Sequence, residues 1–318
     1  MHRCEGTCSN QCFAWIPAAC ASCCEDWCRQ KRGIRGACTD DTFLDDLELA
    51  VENMMASGNT PWLTDRSLTD CFRDICAESD KALLTLQQLQ AQRTAVRTGV
   101  SMLRLQRKLV DRLGTVLVTC LVAICRTAFE HDLAISSAYE KAVDKIQWRT
   151  PYMSEWGDGS VAATATEAED FWQKRKKMKN PKNFASNGSV ASLLNFERQA
   201  SNRTRRDKLI YVVKTLVAPH GCLWTATKSA EELLNFLKGE CMETMAELAL
   251  MSRSASQVAK ERRPALAAEL GDVLFTVFMV IFIAARDHDV DPAAVDGSAM
   301  ATLSKGMTYP VLIWGVHC

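Results

Sequence analysis

The chain lacks net charge: 38 Lys and Arg balance 38 Asp and Glu across 318 residues, and the pI is near 6.9. Nothing global therefore draws it to nucleic acid or to an anionic membrane surface, and any partner must be recognised locally. It also lacks an apolar run of the roughly 20 residues needed to span a bilayer. The longest runs, 116–125 and 273–285, are expected to be core helices, and no membrane span is expected. No basic leader followed by an apolar segment opens the sequence, so a secretory signal is not expected and a cytoplasmic, reducing location is. Histidine is scarce, with five in all, and His2 is the only one near the cysteines crowded into the first forty or so residues.

Those cysteines are Cys4, Cys8, Cys12, Cys20, Cys23, Cys24, Cys28 and Cys38. A zinc module could use Cys20 and Cys23 with Cys24 or Cys28, but a second well-spaced pair is missing. A lipidated or disulfide-bonded tail is another reading. The simplest is that 1–41 forms a Cys-rich extension without fixed structure. Cys120, Cys125 and Cys241 fall in apolar helical patterns and read as small core residues. With 47% hydrophobic residues the remainder can bury a large core, enough for two modules.

The periodicity is helical throughout, which predicts an all-α fold. Helices are expected from Phe43 to Met55, from Ser67 to about Leu89, from about Ser101 to His131 and from Ile135 to Gln147, the last closed by Thr150-Pro151. Ser67 with Asp70, and Ser229 with Glu232, have capping-box spacing. Between the halves, 179–206 is rich in Lys, Arg, Asn and Ser and reads as a solvated linker, with few aromatics to suggest nucleic-acid binding. The loop from Ser252 to Arg263 is expected to turn the chain, with Pro264 in the first turn of the next helix.

Two pairs of acids at i,i+3 spacing sit inside the apolar helical runs of the second half: Glu240 with Glu243, and Glu269 with Asp272. At that spacing both carboxylates of a pair lie on one helix face, about 5–6 Å apart at Cβ. Asp272 is the anomaly, because the residues after it, Val273-Leu274-Phe275-Thr276-Val277-Phe278, belong to a buried helix. A carboxylate in such a place costs several kcal/mol unless something cationic meets it. No Lys or Arg lies one turn away in sequence, whereas a second acid, Glu269, does. Two antiparallel helices would set the pairs opposite each other, and an all-oxygen donor set points to a hard ion, Mg²⁺ or Mn²⁺, over zinc. The bland alternative is a pair of solvated helix faces.

The order Cys222-Leu223-Trp224, Glu240-x-x-Glu243, then Glu269-Leu270-Gly271-Asp272-Val273-Leu274-Phe275 resembles the MazG family of nucleoside triphosphate pyrophosphohydrolases, whose repeat reads Cys-Pro-Trp, Glu-x-x-Glu, Glu-Leu-Gly-Asp. The resemblance implies that Glu240, Glu243, Glu269 and Asp272 hold Mg²⁺, that a nucleoside triphosphate is cleaved to the monophosphate and pyrophosphate, and that units of four-helix type pair as dimers. Glu243 is assigned the role of proton acceptor from water. Lys228 and Lys238 are candidates for phosphate contact, and Trp224 either stacks near the base or anchors the core. A relative of phosphoribosyl-ATP pyrophosphatase shares the same metal logic. A catalytically silent helical interaction module is the alternative from another class.

The first half repeats this order. Glu78 stands opposite Glu240, but Lys81, Arg112 and Thr115 stand opposite Glu243, Glu269 and Asp272. A first copy over 42–178 thus lacks three of the four acids, and Lys81 and Arg112 are expected to neutralise Glu78 as an ion pair. What it keeps is a tail with Lys145 and Arg149 and a Trp172-bearing helix, similar to the family's basic tail, with Thr150 and Tyr152 where the family has histidines. Lys145 and Arg149 are therefore expected to contact substrate. The intact copy is 207–318, and the degenerate one could be its internal partner in a pseudo-dimer, with further homo-oligomerisation open.

Overall fold

The structure, a computed structural model, describes residues 44–56, 65–94, 99–178 and 205–308. The Cys-rich segment 1–41 lies outside the described residues, as does the expected linker apart from Arg205 and Arg206.

Among the described residues there are ten helices and no strand: α1 Asp45–Ala56, α2 Leu68–Thr94, α3 Gly99–Glu130, α4 Ile135–Arg149, α5 Ala165–Lys177, α6 Arg205–Val217, the short α7 Leu223–Ala226, α8 Ala230–Ser252, α9 Ser256–His288 and α10 Pro292–Thr308. The starts follow local chemistry. Ser67 Oγ accepts from the Asp70 amide at 3.1 Å. Ser229 and Glu232 form a reciprocal capping box at the head of α8, and Thr164 caps α5 by accepting from the Glu167 amide. Each satisfies amides that the first helical turn leaves without a partner.

Two expectations are corrected. The turn between α8 and α9 is short, and α9 begins at Ser256, so Pro264 lies inside the helix and not in its first turn. Pro264 removes one backbone donor, but both Pro264 and Lys260, whose carbonyl loses that partner, are exposed and water can take its place. Arg205 and Arg206 open α6 instead of ending a solvated linker. The Arg206 side chain is buried and donates to Glu48 on α1 at 2.9 Å.

The α2–α3 and α8–α9 hairpins form the centre, with α2 against α8 and α3 against α9. Around them α4 and α6 pack on α9, while α10 and α1 pack on α3. These contacts are unchanged when α1, α2, α3 and α4 are exchanged with α6, α8, α9 and α10. Thus α4 packs on the long helix α9, and α10 on the long helix α3.

Glycine permits these crossings. A Cβ on Gly271 of α9 would stand 2.5 Å from the Ala138 carbonyl oxygen of α4, and one on Gly114 of α3 would stand 2.8 Å from the Ala299 nitrogen of α10. The core runs along α9, where Val273, Leu274, Phe278, Val280 and Ile281 are fully buried. Burying each such side chain contributes about 1.5–3 kcal/mol. By length and composition α9 could cross a membrane, but 78% of its apolar window is buried inside the bundle, as expected of a core helix.

Candidate functional site

The α8–α9 hairpin brings three acids together. Carboxylate oxygens of Glu240 and Glu243 on α8 and Glu269 on α9 lie within 4.8 Å of one another. Burial pushes Glu240 up to about 7, and the charges of Asp272 and Glu243 add to the effect. Burial also raises Glu269, with Asp272 again the next cause. Like charges in a half-buried setting have this consequence. Glu269 Oε2 is buried without a hydrogen-bond partner. Oxygen donors only, a carboxylate oxygen left unpaired and mutual repulsion suit a hard divalent cation.

Asp272 is placed differently from the other three. It is not in the 4.8 Å group, and its Oδ2 accepts a hydrogen bond from Lys145 Nζ on α4. The cation that its half-buried position demands comes from the other half of the chain, far from it in sequence. One turn beyond Lys145, Arg149 faces the same site. Burial lowers its pKa, and the charges of Asp272, Glu240, Glu243 and Glu269 oppose that shift.

The aromatic wall adjoins these cations. The Arg149 guanidinium lies 5.0 Å from the centre of the Trp172 ring. Trp172 is parallel to Trp224, with centroids 6.0 Å apart and planes 5° apart. Lys228 Nζ sits 4.8 Å from the centre of the Trp224 ring. Trp172, Trp224, Tyr152 and Phe275 also line a small apolar cavity. Helix α5, which carries Trp172, is fastened to the end of α4 by Arg175, which donates to the Trp148 carbonyl at 3.0 Å and to Asp158 at 2.5 Å.

Lys238 is directed elsewhere. Its ammonium pairs with Asp80 of α2 at 2.8 Å. Glu247, on the same helix, is held by both arms of the Arg262 guanidinium at 2.8 and 2.6 Å. Thr150 and Tyr152 serve local structure: Thr150 Oγ1 accepts from Trp156 Nε1 at 3.0 Å, and Tyr152 Oη lies 3.1 Å from Cys222 Sγ. In the first half, Lys81 meets Glu78 at 2.7 Å and Arg112 approaches it at 4.0 Å, the ion pair expected there.

Two residues join the site that sequence reasoning does not place there. Trp172 reads only as part of a tail helix, and nothing local indicates that it lies along Trp224. Arg286, in the last turn of α9, donates to the carbonyls of Thr225 and Lys228 at 3.1 and 2.7 Å and so holds the turn that carries Trp224 and Lys228. A lone arginine at the end of an apolar helix is the available signal.

Residues 228–304 match the family model of the MazG nucleotide pyrophosphohydrolase domain. No curated protein and no solved structure matches the chain. The matched span contains Glu240, Glu243, Glu269 and Asp272, whereas Lys145, Arg149 and Trp172 lie outside it. The stretch formed by α8, α9 and most of α10 is thus similar to the MazG nucleotide pyrophosphohydrolase domain.

Proposed function

We propose that this protein is a Mg²⁺-dependent nucleoside triphosphate pyrophosphohydrolase with one working site per chain, in which Mn²⁺ can replace Mg²⁺. The observation that carries this reading is the Glu240, Glu243 and Glu269 cluster, with its unpartnered Glu269 oxygen, facing Lys145 and Arg149. Glu240, Glu243 and Glu269 are the residues that would hold the ion, with Asp272 beside them. When bound, Mg²⁺ supplies neutralisation of the triphosphate and acidification of water.

The chain's own groups supply the rest. Lys145 holds Asp272 in place, and Arg149 offers a guanidinium to phosphate oxygens. Glu243, the exposed member of the cluster, accepts the proton of the attacking water. Attack at the α-phosphorus breaks its bond to the bridging oxygen and releases pyrophosphate. Trp224 and Trp172 provide flat surfaces for a base, with Lys228 at their edge. Lys238, tied to Asp80, is given no part in substrate binding.

In this reading the first half is a degenerate copy that acts as internal partner of the second. It has lost three of the four acids, keeping Glu78, yet lends α4 and α5 to the surviving site. The test is pyrophosphate release from each common NTP and dNTP with Mg²⁺, using the wild type, Asp272→Asn and Lys145→Met. Turnover that falls at least tenfold in both variants is expected. No turnover of any nucleotide by the wild type would leave a silent interaction module as the better description.

A further inference from the structure

The acid stripe of α8 continues past the cluster. Glu247 follows Glu243 by four residues and Glu240 by seven, so all three lie on one face of the helix. Its partner is on α9, where Arg262 donates from Nε to one Glu247 oxygen at 2.8 Å and from Nη2 to the other at 2.6 Å. Arg262 in turn precedes Glu269 by seven residues on the same face of α9. The pair thus lies on the seam between α8 and α9 that also holds the cluster, two helical turns or roughly 10 Å beyond Glu240 and Glu269. Burial is the main cause that raises Glu269, and the Glu247 charge adds to it, so the pair is within electrostatic reach of the cluster.

The seam has a direction. At the opposite end of α9, Arg286 donates to the carbonyls of Thr225 and Lys228, while Lys228 lies over Trp224 and pairs with Glu232 in the first turn of α8 at 3.8 Å. The order along the seam is therefore the tryptophan end, the acids, then Arg262. With a base at the aromatic end and the α-phosphorus at the acids, the β- and γ-phosphates run toward Arg262. Glu247 fixes the guanidinium through Nε and Nη2, which leaves Nη1, on a side chain 34% exposed, to meet a phosphate oxygen. We propose that Arg262 binds the terminal phosphates of the nucleotide and hence the departing pyrophosphate. This assignment rests on the pyrophosphohydrolase reading of the acid cluster.

Inorganic pyrophosphate with Mg²⁺ probes this end of the site without a base and without turnover. Isothermal titration calorimetry on the full-length protein compares the wild type with Arg262→Met and with the double variant Glu247→Met/Arg262→Met. The single variant leaves the Glu247 charge unpaired, which both repels phosphate and weakens the fold. The double variant replaces the ion pair by apolar side chains, a change that often leaves stability unchanged or higher, so a loss that persists in it comes from the missing guanidinium. Both variants are expected to bind pyrophosphate at least tenfold more weakly, with the circular dichroism and Tm of the double variant close to those of the wild type. Pyrophosphate affinity in the folded double variant within twofold of the wild type, or no pyrophosphate binding by the wild type, would overturn the proposal. A wild type that binds pyrophosphate through Arg262 yet turns over no nucleotide would leave this phosphate site standing and remove the hydrolase reading instead.

Discussion

Replacing Gly271 by alanine separates packing from site assembly, because the same change can be made at the related crossing. At Gly271 the new Cβ would lie 2.5 Å from a backbone oxygen of α4, and Ala142 N and Cβ are also close, at 3.1 and 3.3 Å. Ordinary contact starts near 3.4 Å, so α4 must retreat by roughly 0.9 Å. Overpacking of this kind costs about 1–3 kcal/mol, offset by up to about 1 kcal/mol of helix propensity. A net loss of about 2 kcal/mol lowers Tm by about 4–8 °C in a domain of this size.

Gly114→Ala has a similar clash, with Ser298 and Ala299 at 2.8 Å, and its expected Tm loss is similar. The two differ in what moves. Retreat of α4 shifts Lys145 and Arg149 relative to the acids, and a misplacement near 1 Å can cost about 10²-fold in rate. Retreat of α10 leaves that site alone. Differential scanning calorimetry and steady-state pyrophosphate release should therefore show two destabilised proteins, of which only Gly271→Ala loses turnover by tenfold or more. Equal activity in the two would refute the idea that the first half completes the site.

Glu240 and Glu269 both have raised pKa values in the fold, so the native state holds protons that the unfolded state releases. The stability this gives is present below pH 4.5 and is lost as pH rises to about 7. Without metal, the Tm advantage of Glu240→Gln over the wild type should grow across that window, and a saturating divalent cation should reverse it. A flat difference would show that Glu240 is not raised by burial and its acidic neighbours. Trp172→Ala removes one face of the aromatic pair; stacking of a base is worth about 1–3 kcal/mol, so KM should rise about tenfold with little change in kcat. An unchanged KM would remove Trp172 from the site.

The helices and the acid motif are legible in the sequence because both are local. Apolar spacing marks α2, α3 and α9, the boxes at Ser67 and Ser229 mark two starts, and i,i+3 acids mark two helix faces. Pro264 misleads because proline reads as a helix boundary, while the exposed face of α9 tolerates it. The Lys145–Asp272 pair and the Trp172–Trp224 pair are not legible, because each joins residues far apart in the chain and depends on how α4 and α5 settle on the opposite half. Glu78 with Lys81 and Arg112 is readable as an ion pair from the proposed alignment of the two halves, and the structure shows that pair.

Manganese binding to the metal-free protein, followed by electron paramagnetic resonance and calorimetry, tests the acid cluster most directly. The wild type should take up Mn²⁺ at a site where Mg²⁺ competes, and Glu269→Gln should weaken that binding at least tenfold while the fold is retained. Equal Mn²⁺ affinity in the two proteins would contradict a shared cation site between α8 and α9.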